Sequence, residues 1–304
     1  MRVGNGCGVG ELIRRAWQSG LAVPGFNIPY LPMMEPVVRA LRDTGSAGLV
    51  MVARLEWIKF EAGSLAAVRD EYRRVGDRRH TRLHLDHVPA IDEDGLEVDY
   101  AGVISEALAL GYDSVMVDGS RLPLEENIAA TRRVVELARA AGVPVEAELG
   151  AVLGHEGGPL PPYEELFASR RGFTDPGEAA RFVAETGVDW LSVAIGNIHG
   201  AISAARRDRQ KAEARLDLEH LAKLRQAAGV PLVLHGGTGV PGDYLRRAVG
   251  AGITKINVGT AIRQPYEALK DTSPQAALEA VYQAVVHTIR NELGTEGSAR
   301  LLLK

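Results

Sequence analysis

One cysteine, Cys7, stands in the whole 304-residue chain. A lone thiol excludes an intramolecular disulfide and any zinc site built on several thiolates, so a transition metal here must rely on histidine and carboxylate ligands. Long apolar runs are missing as well: no stretch approaches the roughly 18–20 uncharged apolar residues that span a bilayer. The opening segment "MRVGNGCGVGELIRRAW" lacks the apolar core and cleavage site of a signal peptide. Excess charge is also scarce. The formal net charge of -4 offers no general attraction to nucleic acid or to an anionic membrane. No short-period repeat, low-complexity tract or obvious linker divides the chain. These absences predict a cytoplasmic protein with neither nucleic acid nor membrane as a partner. Hydrophobic content of 46% and charged content of 24% are ordinary for a globular protein with a full core.

What is present is an alternation of short apolar runs and longer amphipathic stretches. The runs are "AVPGFN" (22–27), "GLVMVA" (48–53), "RLHLDH" (82–87), "SVMVD" (114–118), "VPVEAEL" (143–149), "WLSVAI" (190–195), "PLVLHG" (231–236) and "ITKINV" (253–258). Several are rich in Val and Ile, as buried parallel strands are. Between them, Ala101, Ile104, Ala107 and Leu108 fall on one helical face. "PLEENIAATRRVVELARAAGVP" opens on Pro and acids and stops at Gly142. "TDPGEAARFVAETGV" offers Thr174 or Asp175 as N-cap, Pro176 in the first turn and Gly187 near the C-cap. Eight β/α units predict an α/β fold, a (β/α)8 TIM barrel with additional N- and C-terminal helices, as one domain over residues 1–304. A doubly wound open sheet is the alternative.

In such a barrel, chemistry sits at the C-terminal ends of the strands. The polar residues there are Asn27, Asp86 with His87, Asp118, Glu148, His199 just past strand six, His235 and Asn257. Three imidazoles from strands three, six and seven, with one open position, describe a catalytic divalent metal site of the kind zinc occupies, and such a set also accepts cobalt or iron. Taken singly, each has a bland reading: a strand-end His is commonly a hydrogen-bonded structural residue, and Asp118 or Glu148 can cap a helix. His84 shares strand parity with Asp86 and is expected to support that carboxylate. Gly200 follows His199, Gly236, Gly237 and Gly239 follow His235, and Gly259 with Thr260 stands where the last strand meets a helix. Small residues let backbone N–H groups approach an oxyanion, and loops after strands seven and eight are the usual phosphate site of these barrels. Ordinary turn chemistry explains any one of these glycines.

The ordered series "AVPGFNI", "LHLDH", "VMVDGS", "VEAELG", "TDPGEAARFV", "LSVAIGNIHG", "PLVLHGGTG", "TKINVGT" and "IRNELGTEGSAR" resembles the class II, zinc-dependent ketose-bisphosphate aldolases nearly end to end. The resemblance implies reversible cleavage of a ketose phosphate to a dihydroxyacetone-phosphate-type ketone and an aldehyde, through a zinc-stabilised enediolate. By motif, His87, His199 and His235 resemble the zinc ligands, and Asp86 the acid–base group at the aldehyde oxygen. Glu156 resembles the loop glutamate that exchanges a proton at the nucleophilic carbon. Asp118 and Glu148 resemble ligands of a secondary metal position. Gly200, Gly236, Thr238 and the turn from Asn257 through Gly259 to Thr260 resemble the site for the ketose phosphate and a monovalent cation. The family also implies a homodimer or homotetramer.

Three departures fall on the acceptor side. Pro29 and Tyr30 follow "FN" where the family has a polar pair. Ala53 and Arg54 stand where a Ser or Thr binds the distal phosphate, and Arg54 either grips an anion or forms a surface ion pair. The segment "AISAARRDRQKAEARLD" is long and charged; it reads as a solvated helix, with Arg206 and Arg207 near enough to the zinc loop to meet an anion. Two rivals remain at this point. A metal-dependent hydrolase on the same barrel lacks its usual His-x-His on strand one, and a noncatalytic sugar-phosphate-binding barrel has little need of Asp86.

Overall fold

A computed structural model describes residues 7–151, 163–197 and 215–304. Eight parallel strands close into a barrel in sequence order. They are β1 (Val23–Asn27), β2 (Gly48–Ala53), β3 (Thr81–Pro89), β4 (Ser114–Asp118), β5 (Val145–Leu149), β6 (Trp190–Val193), β7 (Leu232–Leu234) and β8 (Ile253–Val258). Closure is direct, since Val23 of β1 pairs with Lys255 of β8, and this rules out the open sheet. The expected strand ends move inward at β5, β6 and β7. Pro144, for instance, has no N–H to give a ladder, and Gly236 leaves the strand at φ +66°.

Helix boundaries follow the chemistry of their ends. Pro176–Thr186 starts at Asp175, whose carboxylate accepts from the Glu178 N–H at 2.9 Å, and ends at Gly187 with φ +67°. Thr174, the other candidate cap, instead joins β5 to β6: its hydroxyl donates to the Leu149 carbonyl and accepts from the Ala194 N–H.

Strand alternation divides the barrel into two environments. Leu83 and Leu85, Val145 and Ala147, Leu191 and Val193, and Ile256 and Val258 pack outward among the helices. The opposite parity points into the lumen. At the N-terminal mouth the lumen is apolar: Val23, Leu49, Met51, Trp190 and Val233 pack under helices Val9–Ser19 and Ala299–Leu302. Leu12 and Ile13 of the first helix are buried there, each contributing roughly 1.5–3 kcal/mol. The terminal helices thus seal one end and leave the other for chemistry. No helix among the described residues is long and apolar enough to cross a membrane.

Candidate active site

The strand-three motif folds in a way that simple alternation does not anticipate. Asp86 and His87, as neighbours in a regular strand, would face opposite sides of the sheet. Pairing with β4 slips between Leu85 and Val88, so β3 carries one extra residue there. His87 takes up the irregularity with φ +29°, a conformation most side chains avoid. Such a bulge re-aims a side chain, and both Asp86 and His87 line the same cavity at the open mouth, together with His235.

Asp86 is held from two sides. Asn27 donates to its Oδ2 and Asn257 to its Oδ1, each at 2.9 Å. Burial opposes its ionisation, but His87 and Lys255 outweigh burial and hold its pKa well below the usual carboxylate range. His84 lies one lumen position below. Its Nδ1 meets Ser114 Oγ at 2.8 Å, while its Nε2 is 3.7 Å from Asp86 Oδ1 and 3.5 Å from Lys255 Nζ. It therefore buttresses the acid from inside the barrel.

His235 rests on a pair of residues that strand-end reasoning missed. Glu146 Oε1 is 2.8 Å from His235 Nε2, while its Oε2 accepts from Lys255 Nζ at 2.7 Å and from Trp190 Nε1 at 2.6 Å. All four side chains are buried. Burial works against a charged Glu146, yet Lys255 and His235 hold its pKa at about 2. The signal was in the parity: Glu146 precedes Glu148 by two, and Lys255 precedes Asn257 by two. With Glu146 behind Nε2, the other ring nitrogen of His235 faces Glu148 Oε2 at 2.8 Å. His87 is backed in the same manner, its Nδ1 3.2 Å from Asp118 Oδ2, and Asp118 is pinned by the N–H and hydroxyl of Ser120.

The donor set suits a divalent cation. Ligand atoms of Asp86, His87 and His235 lie within 4.8 Å of one another, as do those of His87, Asp118 and Glu148. Lys255 balances Glu146, which leaves three further carboxylates around two imidazoles. Burial alone would discharge His87, but Asp86, Asp118 and Glu148 prevail and raise its pKa to about 10. The pocket therefore attracts positive charge, and a carboxylate behind each imidazole is the outer support that metal-binding histidines use.

Beside these groups, Gly236, Thr238, Gly259 and Thr260 line the cavity from the ends of β7 and β8. A Cβ at Gly237 would come within 2.8 Å of Ile256 Cγ2 and 3.3 Å of the Asn257 carbonyl, so this turn needs a residue without one. Helix Thr260–Leu269 begins here, turning its free N–H groups toward the mouth. Among the described residues, Asn257 Oδ1 is buried without a hydrogen-bond partner. It is an acceptor available to a ligand.

Arg54 is paired outside this arrangement. Its Nη1 is 3.5 Å from Asp92 Oδ2, and it does not line the cavity. Arg121 and Arg263 do. Arg121 donates to the Asp92 carbonyl, and Arg263 is braced by Glu267 at 2.6 Å and by the Phe60 ring. Neither stood out in the sequence, because their direction depends on helix phase and loop path. Glu56 is a third cavity residue that strand-end reasoning missed. Glu156, His199, Gly200, Arg206 and Arg207 lie outside the described residues.

Comparison with known proteins agrees in one direction. The family model "Fructose-bisphosphate aldolase class-II" matches residues 8–299. A Streptococcus pyogenes fructose-bisphosphate aldolase is 34% identical over 254 residues, covering 82% of this chain and 77% of the relative. A Bacillus subtilis protein named "Probable fructose-bisphosphate aldolase" is 30% identical over 303 residues, covering 95% of this chain and 96% of its own. In structure, the chain superimposes on the YdjI aldolase of Escherichia coli K12 with a TM-score of 0.74 at 26% identity, covering 96% of this chain and 98% of that one. With a whole-barrel match to the family model and relatives at this level of identity, the chain belongs to the class II fructose-bisphosphate aldolase family.

Proposed function

We propose that this aldolase reversibly cleaves a ketose phosphate or bisphosphate to a dihydroxyacetone-phosphate-type ketone and an aldehyde, with zinc as its metal and an atypical acceptor end. The observation behind this reading is the convergence of Asp86, His87 and His235 on one point beside the glycine-rich turns of β7 and β8. His87 and His235, with His199 as the third ligand, would hold the ion; when bound it supplies Lewis acidity that makes the carbon beside the substrate ketone acidic. Asp118 and Glu148 are suited to a secondary metal position.

The chain's own residues do the rest. Gly200, Gly236, Gly237, Thr238, Gly259 and Thr260 receive the ketose phosphate on backbone N–H and hydroxyl donors, with a monovalent cation beside it. Asn257 offers its free Oδ1 to a ketose hydroxyl. In cleavage, the Asp86 carboxylate takes the proton of the hydroxyl that becomes the aldehyde; in condensation it returns that proton to the new alkoxide. Glu156 exchanges the proton at the nucleophilic carbon. Family membership supports a homodimer or homotetramer, and the single Cys7 suits a reducing cytoplasm. Replacing Asp86 by Asn tests the assignment: turnover should fall at least about 100-fold with zinc retained. An active Asp86→Asn enzyme removes Asp86 from the reaction.

A further inference from the structure

One buried acid at the mouth has no task in the chemistry above. Glu56 lies on the first turn of the short helix Arg54–Ile58, directly after β2. It is only 9% exposed, and its Oε2 accepts from the Ala53 N–H at 2.8 Å. Its neighbour Arg54 is committed to Asp92, and among the described residues Glu56 has no ion-pair partner. Burying a carboxyl without a cation is costly, so its place on a cavity wall asks for a reason.

Its position relative to Asp86 supplies one. The β2–β3 register sets Ala53 directly beside Asp86, and Glu56 is hooked to Ala53. Asn27, which donates to Asp86 Oδ2 at 2.9 Å, lines the same cavity as both acids. Neighbouring strands run about 4.8 Å apart, so the carboxyl hooked to Ala53 stands close beside that of Asp86. That spacing lets each carboxyl hydrogen-bond one of two neighbouring oxygens on a single carbon chain. Asp86 meets the aldehyde oxygen, so the oxygen left for Glu56 is the hydroxyl on the next carbon. The turns of β7 and β8 take the ketose phosphate, and Glu56 belongs to β2, so it faces the acceptor half.

We propose that Glu56 is a specificity residue that hydrogen-bonds the hydroxyl on the carbon next to the aldehyde, making the enzyme selective for 2-hydroxyaldehyde acceptors. This rests on the aldolase reading above. Burial, together with the nearby Asp86 charge, raises the carboxyl's pKa to about 8. At neutral pH it is thus mostly protonated, able both to donate to and to accept from a hydroxyl.

The test is condensation of dihydroxyacetone phosphate with lactaldehyde or with propanal, which differ only in that hydroxyl. Zinc-loaded native protein, Glu56→Gln and Glu56→Leu are compared by the ratio of kcat/KM for the two aldehydes. A ratio is unaffected by how much of a variant folds. Glu56→Leu should lower the lactaldehyde preference by roughly 10- to 100-fold, through the lactaldehyde value. Glu56→Gln, which keeps a hydrogen-bonding group of the same size, should lower it less, and still serves if the leucine variant fails to fold. A ratio unchanged in both variants, or equal losses for both aldehydes, overturns the assignment of Glu56 and leaves the aldolase reading standing. Native protein that cleaves a ketose phosphate yet shows no preference for lactaldehyde over propanal overturns this assignment alone, whereas native protein that neither cleaves a ketose phosphate nor joins either aldehyde to the ketone overturns the aldolase reading and this assignment with it.

Discussion

Glu146→Gln is a change of one atom at a fully buried position, and the lumen geometry sets its consequences. The native carboxylate takes Lys255 and Trp190 on Oε2 and His235 on Oε1. An amide has one acceptor oxygen. If that oxygen stays with Lys255 and Trp190, the new NH2 group faces His235 Nε2 and forces the ring proton onto Nδ1, the nitrogen turned toward Glu148 and the metal position. Loss of such an outer partner lowers metal affinity roughly 10- to 100-fold. The buried Lys255 charge also loses its nearer counterion and is left with Asp86 at 3.7 Å, which costs up to about 3–5 kcal/mol and roughly 10 °C in melting temperature. Chelator competition reads the first effect and thermal unfolding the second. The double variant Glu146→Gln with Lys255→Met separates them: it should regain most of the stability while zinc binding stays weak. Zinc held by Glu146→Gln as tightly as by the native protein would refute the idea that Glu146 sets the orientation of His235.

Further outcomes follow from the same geometry. Burial raises the Glu56 carboxyl to about 8 in the folded chain against 4.5 for a solvated glutamate, so between those values the native state keeps a proton that the unfolded chain has released. Stability therefore falls as pH rises through that window. Glu56→Gln removes the dependence, and its advantage over the native chain should grow between pH 5 and pH 8 to on the order of 4 kcal/mol; parallel pH–stability curves would contradict the burial argument. Gly237→Ala forces a methyl against Ile256 and the Asn257 carbonyl. It should cost about 1–3 kcal/mol in denaturant unfolding and raise KM for the ketose phosphate; an unchanged KM would mean that the turn tolerates the shift.

Much of the barrel was legible in the chain, because parallel strands buried on both sides announce themselves as short apolar runs. Caps such as Asp175 and Gly187 were legible for the same local reason. The site was readable only in part. Strand-end position pointed to Asp86, His87, Asp118, Glu148, His235 and Asn257, all of which face one mouth or its immediate support. Alternation would have set Asp86 and His87 on opposite faces, and no feature of "LDHV" announces the bulge that unites them. Glu146 and Lys255 have the right parity, but their pairing spans the barrel between β5 and β8, and linear spacing carries no record of it. Arg54 looked available because it directly follows β2, whereas Asp92, its partner, lies 38 residues away. Arg121, Arg263 and Glu56 owe their place on the cavity wall to the paths of loops and first helical turns.

The central claim, metal-dependent aldol chemistry at this mouth, is tested most directly by a removal-and-return experiment. Zinc-loaded protein is given fructose and tagatose 1,6-bisphosphates and the matching monophosphates, and release of the three-carbon ketone phosphate is followed. The account predicts cleavage of at least one of these sugars, lost on treatment with a chelator and restored by zinc. Cleavage that persists unchanged through exhaustive chelation, or no cleavage of any of the sugars by the loaded protein, would contradict it.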